Sequence, residues 1–507
     1  MSVTQTDPPR AEAPEPGPRG RSRPSAEVLL LAAGIAAALV VYVVWQTYPN
    51  YDTYYTLVWG QELFHGHLPD YDVFRTPTPH PLSTLVAWAM APFGTASDRI
   101  LVLVALLGYV GFLAVMFAFT KRLLGRTIAF VAVAVLLTRT DMQLLALRAM
   151  FDLPFYLMIF AAALLELRRP RAGWPVLVLL ALAGLLRPEA WLLGGVYWLW
   201  LARDLPRSDA LKLLPLVVAA PVLWMLADLI VTGEPLYSLT STREVSGEFG
   251  RNRGIGDALR NLPRYSGAND TIVTVGVGGM GLVLAVWILR RKAALPVALG
   301  ALGLCTFLII SAAGLSVIPR YMTIPSLLLT LCVAVALAGW TLIERGTTAR
   351  KVAVGIAVLS VLIIGWRASY YASDFSTLAR QASFVESQHE QLNALIDEPE
   401  VAAALQSCRP VTVPTHAPIP ILRYETGLPK DAIQASIQQD APPTEGLQIV
   451  SRVFNFEPST GRAVASAPRV TVERRWSTRP AAGFERLGRS GRWSAWAECG
   501  EPAPTAP

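Results

Sequence analysis

The sequence predicts a polytopic α-helical membrane protein, about eleven transmembrane helices followed by a small extracytoplasmic α/β domain. Three observations carry this. Of 507 residues, 53% are hydrophobic and 16% charged, where soluble domains hold about 25% charged residues. Apolar runs recur as far as residue 371. The basic residues cluster in every second gap between those runs, which is a topology signal. The formal charge of +7 therefore does not mark a nucleic-acid partner.

Residues 1–24 are rich in Pro, Arg, Glu and Ala with no apolar period, and read as a disordered cytoplasmic tail. The run after them is long, and Trp45-Gln46-Thr47-Tyr48 lacks a small-residue cleavage pattern. It reads as a retained helix and not as a cleaved signal. Spans are expected at 27–47, 100–120, 127–138, 152–167, 173–187, 189–202, 211–231, 271–289, 294–313, 321–343 and 352–371. Residues 25–371 then form the membrane domain and 372–507 the C-terminal domain.

Orientation follows from the tail arginines and from Lys121/Arg122/Arg126, Arg168/Arg169/Arg171, Arg203/Arg207/Lys212, Arg290/Arg291/Lys292 and Arg345/Arg350/Lys351. All fall on one side of an odd number of spans. If that side is the cytoplasm, the C-terminal domain lies outside a plasma membrane. The opposite loops are 48–99, 139–151, 187–189, 232–270 and 314–320. Within the first, residues 81–93 are apolar but too short to span, and are expected to lie along the membrane surface.

After Ser373 the composition becomes soluble, with a helical period over 375–405. Strand-like runs follow at 411–413, 447–450 and 470–472, with a last hairpin at 484–499. Cys305 and Cys332 sit in apolar runs as small hydrophobes. Cys408 and Cys499 suit a disulfide if the domain is extracytoplasmic, with two free thiols as the alternative. No cysteines have zinc-site spacing.

The outer loops hold the unusual polar residues. Asp52, just past the first span, is either a functional carboxylate or the cap of a helix beginning at Thr53. An extracytoplasmic site has no nucleotide pool. Group transfer there needs a lipid-linked donor, a base for the acceptor and cations for the leaving phosphate. Asp70 and Asp72 would suit a divalent cation, although paired acids in a Pro-rich loop are more simply solvated. No cofactor is otherwise implied.

Asp52-Thr53-Tyr54-Tyr55, a short helix ending near Gly66, and Pro79-His80-Pro81-Leu82 together resemble the first outer loop of GT-C glycosyltransferases. These are polyprenyl-phosphate-sugar-dependent membrane enzymes that include protein mannosyltransferases and the lipid A aminoarabinose transferase. Asp52, Tyr55, Gly66 and Pro81-Leu82 sit on the family's positions. Thr53 stands where relatives often have Glu, and His80 where they often have Lys-Pro or a similar pair. The resemblance implies Asp52 as catalytic base and Asp152, at the head of the fourth span, as a second acid paired with Arg148 or orienting the acceptor. Arg320, beside Tyr321, would bind the donor phosphate, assisted by Arg187 or Arg243; Arg187 and Glu189 read equally as an ion pair holding a bend. Tyr54, Tyr55, His80 and Tyr321 would touch substrate. The implied reaction is inverting transfer of mannose or arabinofuranose to a glycan, lipid or protein acceptor. The alternative is a transporter or lipid flippase of the envelope, which would need charged residues along the spans and internal repeats.

Overall fold

The apolar runs begin and end where local chemistry permits a helix to do so. Ser25 accepts from the Val28 amide and opens the Ala26–Val44 helix. Gly233, at φ 80°, closes the Arg207–Thr232 helix in the left-handed region that glycine adopts without strain. The computed structural model describes residues 25–45, 47–248, 251–268, 270–451, 453–457, 462–465 and 478–499. The expected tail and the expected strand at 470–472 lie outside them.

A helix occupies each of the eleven expected runs. Six stretches among the described residues are long and apolar enough to cross a bilayer, so the chain is a multi-pass membrane protein. The bent pair Arg126–Leu136 and Thr140–Leu147 makes a seventh if it counts as one span. Eleven crossings are not established. Asp152–Arg168, Trp174–Gly184 and Glu189–Ala202 have 17, 11 and 14 residues, short of the ~20 that a hydrocarbon core requires.

Close helix packing depends on missing side chains. A Cβ on Gly281, in the Gly278–Leu289 helix, would lie 1.8 Å from the Cys332 carbonyl oxygen of the Thr323–Ala338 helix. Such small-residue contacts let backbones approach where water offers no hydrophobic drive. At one end of the bundle Glu27 binds Lys121 at 2.7 Å and Arg126 at 3.5 Å, and Arg171 pairs with Asp204. The expected outer loops meet at the other end.

The first of those loops carries two helices. Its helix Tyr51–Phe64, here the loop helix, is buried without interruption from Thr53 to Gly60. The Pro81–Met90 helix packs on it at Gly60, where a Cβ would meet the Ala87 carbonyl carbon at 2.5 Å. Leu85, Trp88 and Phe93, in the 81–93 stretch expected at the membrane surface, face outward.

The long helix Ala368–Ile396 leads into the C-terminal domain, followed by Pro399–Ser407. Strands are β1 (Val411–Val413), β2 (Ile433–Ala435), β3 (Gly446–Ser451), β4 (Val453–Glu457), β5 (Arg462–Ala465), β6 (Glu485–Ser490) and β7 (Trp493–Glu498). The main sheet runs β2-β1-β3-β7-β6, parallel among β2, β1 and β3 and antiparallel beyond, while β4 and β5 form a separate ribbon. A disulfide joins Cys408 and Cys499, with Cα atoms 5.4 Å apart. The domain is seated on the loop helix by Ile419–Thr426. Arg423, 3% exposed at its side chain, reaches Glu62 at 2.6 Å and Asp70 at 2.9 Å, and Lys430 holds Asp72 at 2.8 Å. The Asp70–Asp72 pair, the one place the sequence offered to a divalent cation, is taken up by these ion pairs.

Candidate active site

Asp52 owes its position to Asn50. The Asn50 side chain accepts from the Thr53 amide at 3.0 Å and from its hydroxyl at 2.6 Å, so Asn50 is the helix cap and Asp52 is released from that role. The Asn50 amide donates to the Arg148 carbonyl at 2.9 Å, and the Thr53 hydroxyl oxygen lies 3.0 Å from the Ala149 carbonyl. These contacts stitch the first outer loop to the second, which brings Asp52 towards Asp152 a hundred residues on.

Both acids face a chamber of about 420 Å³ between the loop helix, the ends of several spans and the C-terminal domain. Arg187 is buried between Asp152 and Glu189, bonded to the first and 2.6 Å from the second. All three side chains are at most 8% exposed. A buried charge requires such pairing, and here Arg187 is largely committed to it. Arg320 is different. Its Nη1 stands 3.9 Å from Asp52 and 3.8 Å from Asp152, its side chain is 37% exposed, and its buried Nε has no partner among the described residues. The Tyr156 hydroxyl fixes its backbone by donating to the Arg320 carbonyl at 2.9 Å. Arg320 therefore keeps donors for an anion that Arg187 has spent.

Asp52 is surrounded by protein yet leaves 31% of its side chain open to the chamber. Enclosure raises its pKa; Arg320 pulls it back, and the nearby Asp152 charge adds to the rise. The result is a carboxylate more basic than an exposed one. His80 also lines the chamber, its ring edge 5.6 Å from Trp224. Burial, then Arg187 and Arg320, push its pKa down to about 3, so it is a neutral hydrogen-bonding group and not a cation. Tyr321 lies in the wall with the Arg187 guanidinium 5.1 Å from its ring centre.

Four expected site residues lie elsewhere. Tyr54 turns away to donate to Asp98 at 3.1 Å, and Tyr55 is fully buried against Tyr51 and Trp59. Arg148 does not pair with Asp152; it donates to the carbonyls of Tyr48 at 3.0 Å and Pro49 at 3.2 Å. Arg243 is exposed and off the chamber wall, while Arg251 from the same loop lines it. The sequence also passed over Trp191 and Trp224, which it could not tell from interface aromatics, and His416, which the C-terminal domain contributes from far along the chain. Met225, Leu236 and Leu239 make an apolar flank that is part chamber wall and part outer surface. Among the described residues no group of three or more His, Cys, Asp or Glu converges as a metal site.

No family model and no curated protein sequence matches the chain. Among solved structures, the crystal structure of ArnT from Cupriavidus metallidurans bound to undecaprenyl phosphate is similar over 95% of this chain and 100% of its own, at 14% identity and a TM-score of 0.51. The chain has the fold of ArnT. The apo-state crystal structure of ArnT matches over 93% of this chain with 15% identity and a TM-score of 0.48. The likeness is one of fold, and it covers nearly the whole chain.

Proposed function

We propose that the protein is a membrane glycosyltransferase that moves a sugar from a polyprenyl-phosphate donor to an acceptor hydroxyl with inversion. One observation carries this reading: an enclosed, basic carboxylate at Asp52 lies 3.9 Å from Arg320, a guanidinium with donors to spare. That pairing supplies a base for the incoming hydroxyl and a cation for the departing phosphate within one chamber. The undecaprenyl phosphate bound to ArnT supports a donor of the same class here.

In the proposed step Asp52 takes the acceptor proton as the acceptor oxygen attacks the anomeric carbon. The bond from that carbon to the phosphate oxygen breaks on the opposite face, and the polyprenyl phosphate leaves with the electron pair towards Arg320. Guanidinium suits this role because its fork meets two phosphate oxygens at once. Arg251 adds positive charge nearby, and Arg187 holds Asp152 and Glu189 in place. The flank of Met225, Leu236 and Leu239 would receive the prenyl chain from the bilayer. Mannose and arabinofuranose are the sugars we put first, and the acceptor a glycan, lipid or protein.

The proposed orientation has the N-terminus in the cytoplasm, with the chamber and the C-terminal domain outside the plasma membrane. The alternation of basic loops supports it, and so does the Cys408–Cys499 bond, since disulfides persist in oxidising compartments. The test is transfer of labelled sugar from a panel of polyprenyl-phosphate donors by the purified, lipid-reconstituted protein. Product of inverted anomeric configuration is expected from at least one donor. A panel that gives neither transfer nor donor hydrolysis would reject the reading.

A further inference from the structure

A second cavity, about 280 Å³, lies behind the first, between the loop helix and the C-terminal domain. Tyr51 and Ala417 belong to the walls of both, so little more than one ring separates it from Asp52. Its polar wall is Gln381, Gln388, His389 and Arg148, and aromatic rings including Tyr54 and Trp493 supply much of the rest.

Gln388 and His389 are 5% and 6% exposed. Both amide atoms of Gln388 and Nε2 of His389 have no hydrogen-bond partner among the described residues. The helix backbone settles the His389 tautomer. Nδ1 lies 3.0 Å from the Val385 carbonyl, which can only accept, so Nδ1 carries the proton and Nε2 offers a lone pair. Burial drives the His389 pKa down to about 3, which keeps that lone pair available. The ring cannot swing to another partner: it is stacked on Tyr48 at 4.4 Å and on Tyr54 at 5.6 Å. Buried polar atoms without partners are uncommon and call for an occupant.

The chemistry of the wall selects that occupant. A primary amide beside a fixed acceptor matches adjacent hydroxyls, which both donate and accept. Aromatic faces match the C–H face of a sugar ring. Among the described residues no carboxylate lines the cavity, and Arg148 is already engaged by two backbone carbonyls, so nothing among them calls for a charged ligand. The volume sits at the low end of small-molecule sites, enough for one ring and not for a chain. We propose that this cavity binds one neutral sugar ring, with the Gln388 amide and His389 Nε2 reading neighbouring hydroxyls. That the ring belongs to the acceptor, whose reacting hydroxyl then reaches past Tyr51 to Asp52, rests on the function proposed above; the binding itself does not.

The experiment is binding of methyl glycosides (α-mannopyranoside, α-arabinofuranoside, β-galactopyranoside) to the full-length protein in nanodiscs without any lipid donor, read by saturation-transfer NMR and calorimetry. At least one glycoside is expected to bind wild type and Asp52→Asn alike, and at least tenfold more weakly to Gln388→Leu and His389→Phe. Gln388→Leu should melt no lower than wild type, because it deletes an unpartnered buried amide; His389→Phe keeps the ring stack and covers the case in which the first variant does not fold. Binding by none of the glycosides, which would mean water alone fills the cavity, would overturn the proposal. So would undiminished binding in both variants. Donor transfer without glycoside binding sinks this site alone, and binding without transfer from any donor sinks the function alone.

Discussion

Replacing Arg320 with Gln should move the pH dependence of the reaction, and the structure sets the size of the effect. Nη1 lies 3.9 Å from the Asp52 carboxylate. At that distance the attraction is about 1 kcal/mol in a water-like medium and about 4 kcal/mol at an effective dielectric of 20. The two side chains are 37% and 31% exposed, so solvent screening places the pair between those limits. A working value is ~2 kcal/mol. Burial already raises the Asp52 pKa, and Arg320 opposes that rise. Removing Arg320 therefore raises the pKa further. A base must be ionised, so activity is lost as pH falls through its pKa, and the acidic limb of kcat/KM should shift to higher pH. The assay is sugar transfer at subsaturating donor across the pH range, for wild type and Arg320→Gln. A lower plateau with an unmoved acidic limb would refute the coupling of Arg320 to the proposed base.

Three further outcomes follow from the same geometry. Arg187→Met leaves Asp152 and Glu189 buried without their cation and should cost about 3–5 kcal/mol, seen as a lower melting temperature in detergent; adding Asp152→Asn and Glu189→Gln should recover much of it. Burial, then the Asp98 and Asp397 charges, raise the Glu425 pKa from 4.5 to about 7. The folded state thus holds a proton that the unfolded state has lost, and stability falls as pH rises through that window. Glu425→Gln should raise the melting temperature at about pH 8 and leave it unchanged below about pH 4. Cys408→Ser opens a loop with a sequence separation of 91 and should destabilise the C-terminal domain by about 4–5 kcal/mol, with loss of the mobility shift on non-reducing gels.

Charge in an apolar chain was the legible signal. Asp52, Asp152, Arg187 and Arg320 stood out because each is expensive to place beside a membrane, and the fold brings all four to one chamber. Direction was not legible. The loop helix is buried on every face from Thr53 to Gly60, so no polar stripe distinguishes the chamber side of Asp52 from the core side of Tyr54 and Tyr55. Arg148 and Arg243 carry the right charge in the right loops. One is turned to backbone carbonyls and the other to the surface, and spacing reports neither. The strands β1 and β3 were readable from their β-branched runs, and the β6–β7 hairpin from Phe484, Trp493 and Trp496. β2, with a single β-branched residue, and the short Ile419–Thr426 helix showed no period, and it is that helix which seats the domain. His416 reaches the chamber only because of that seating.

The account stands on Asp52 acting as the base. Single-turnover transfer from a saturating polyprenyl-phosphate donor, compared between wild type and Asp52→Asn, tests it most directly. The substitution keeps the side chain's size and removes its basicity, so the rate should fall about 10²–10⁴-fold while donor affinity changes little. Equal single-turnover rates in the two proteins would contradict it.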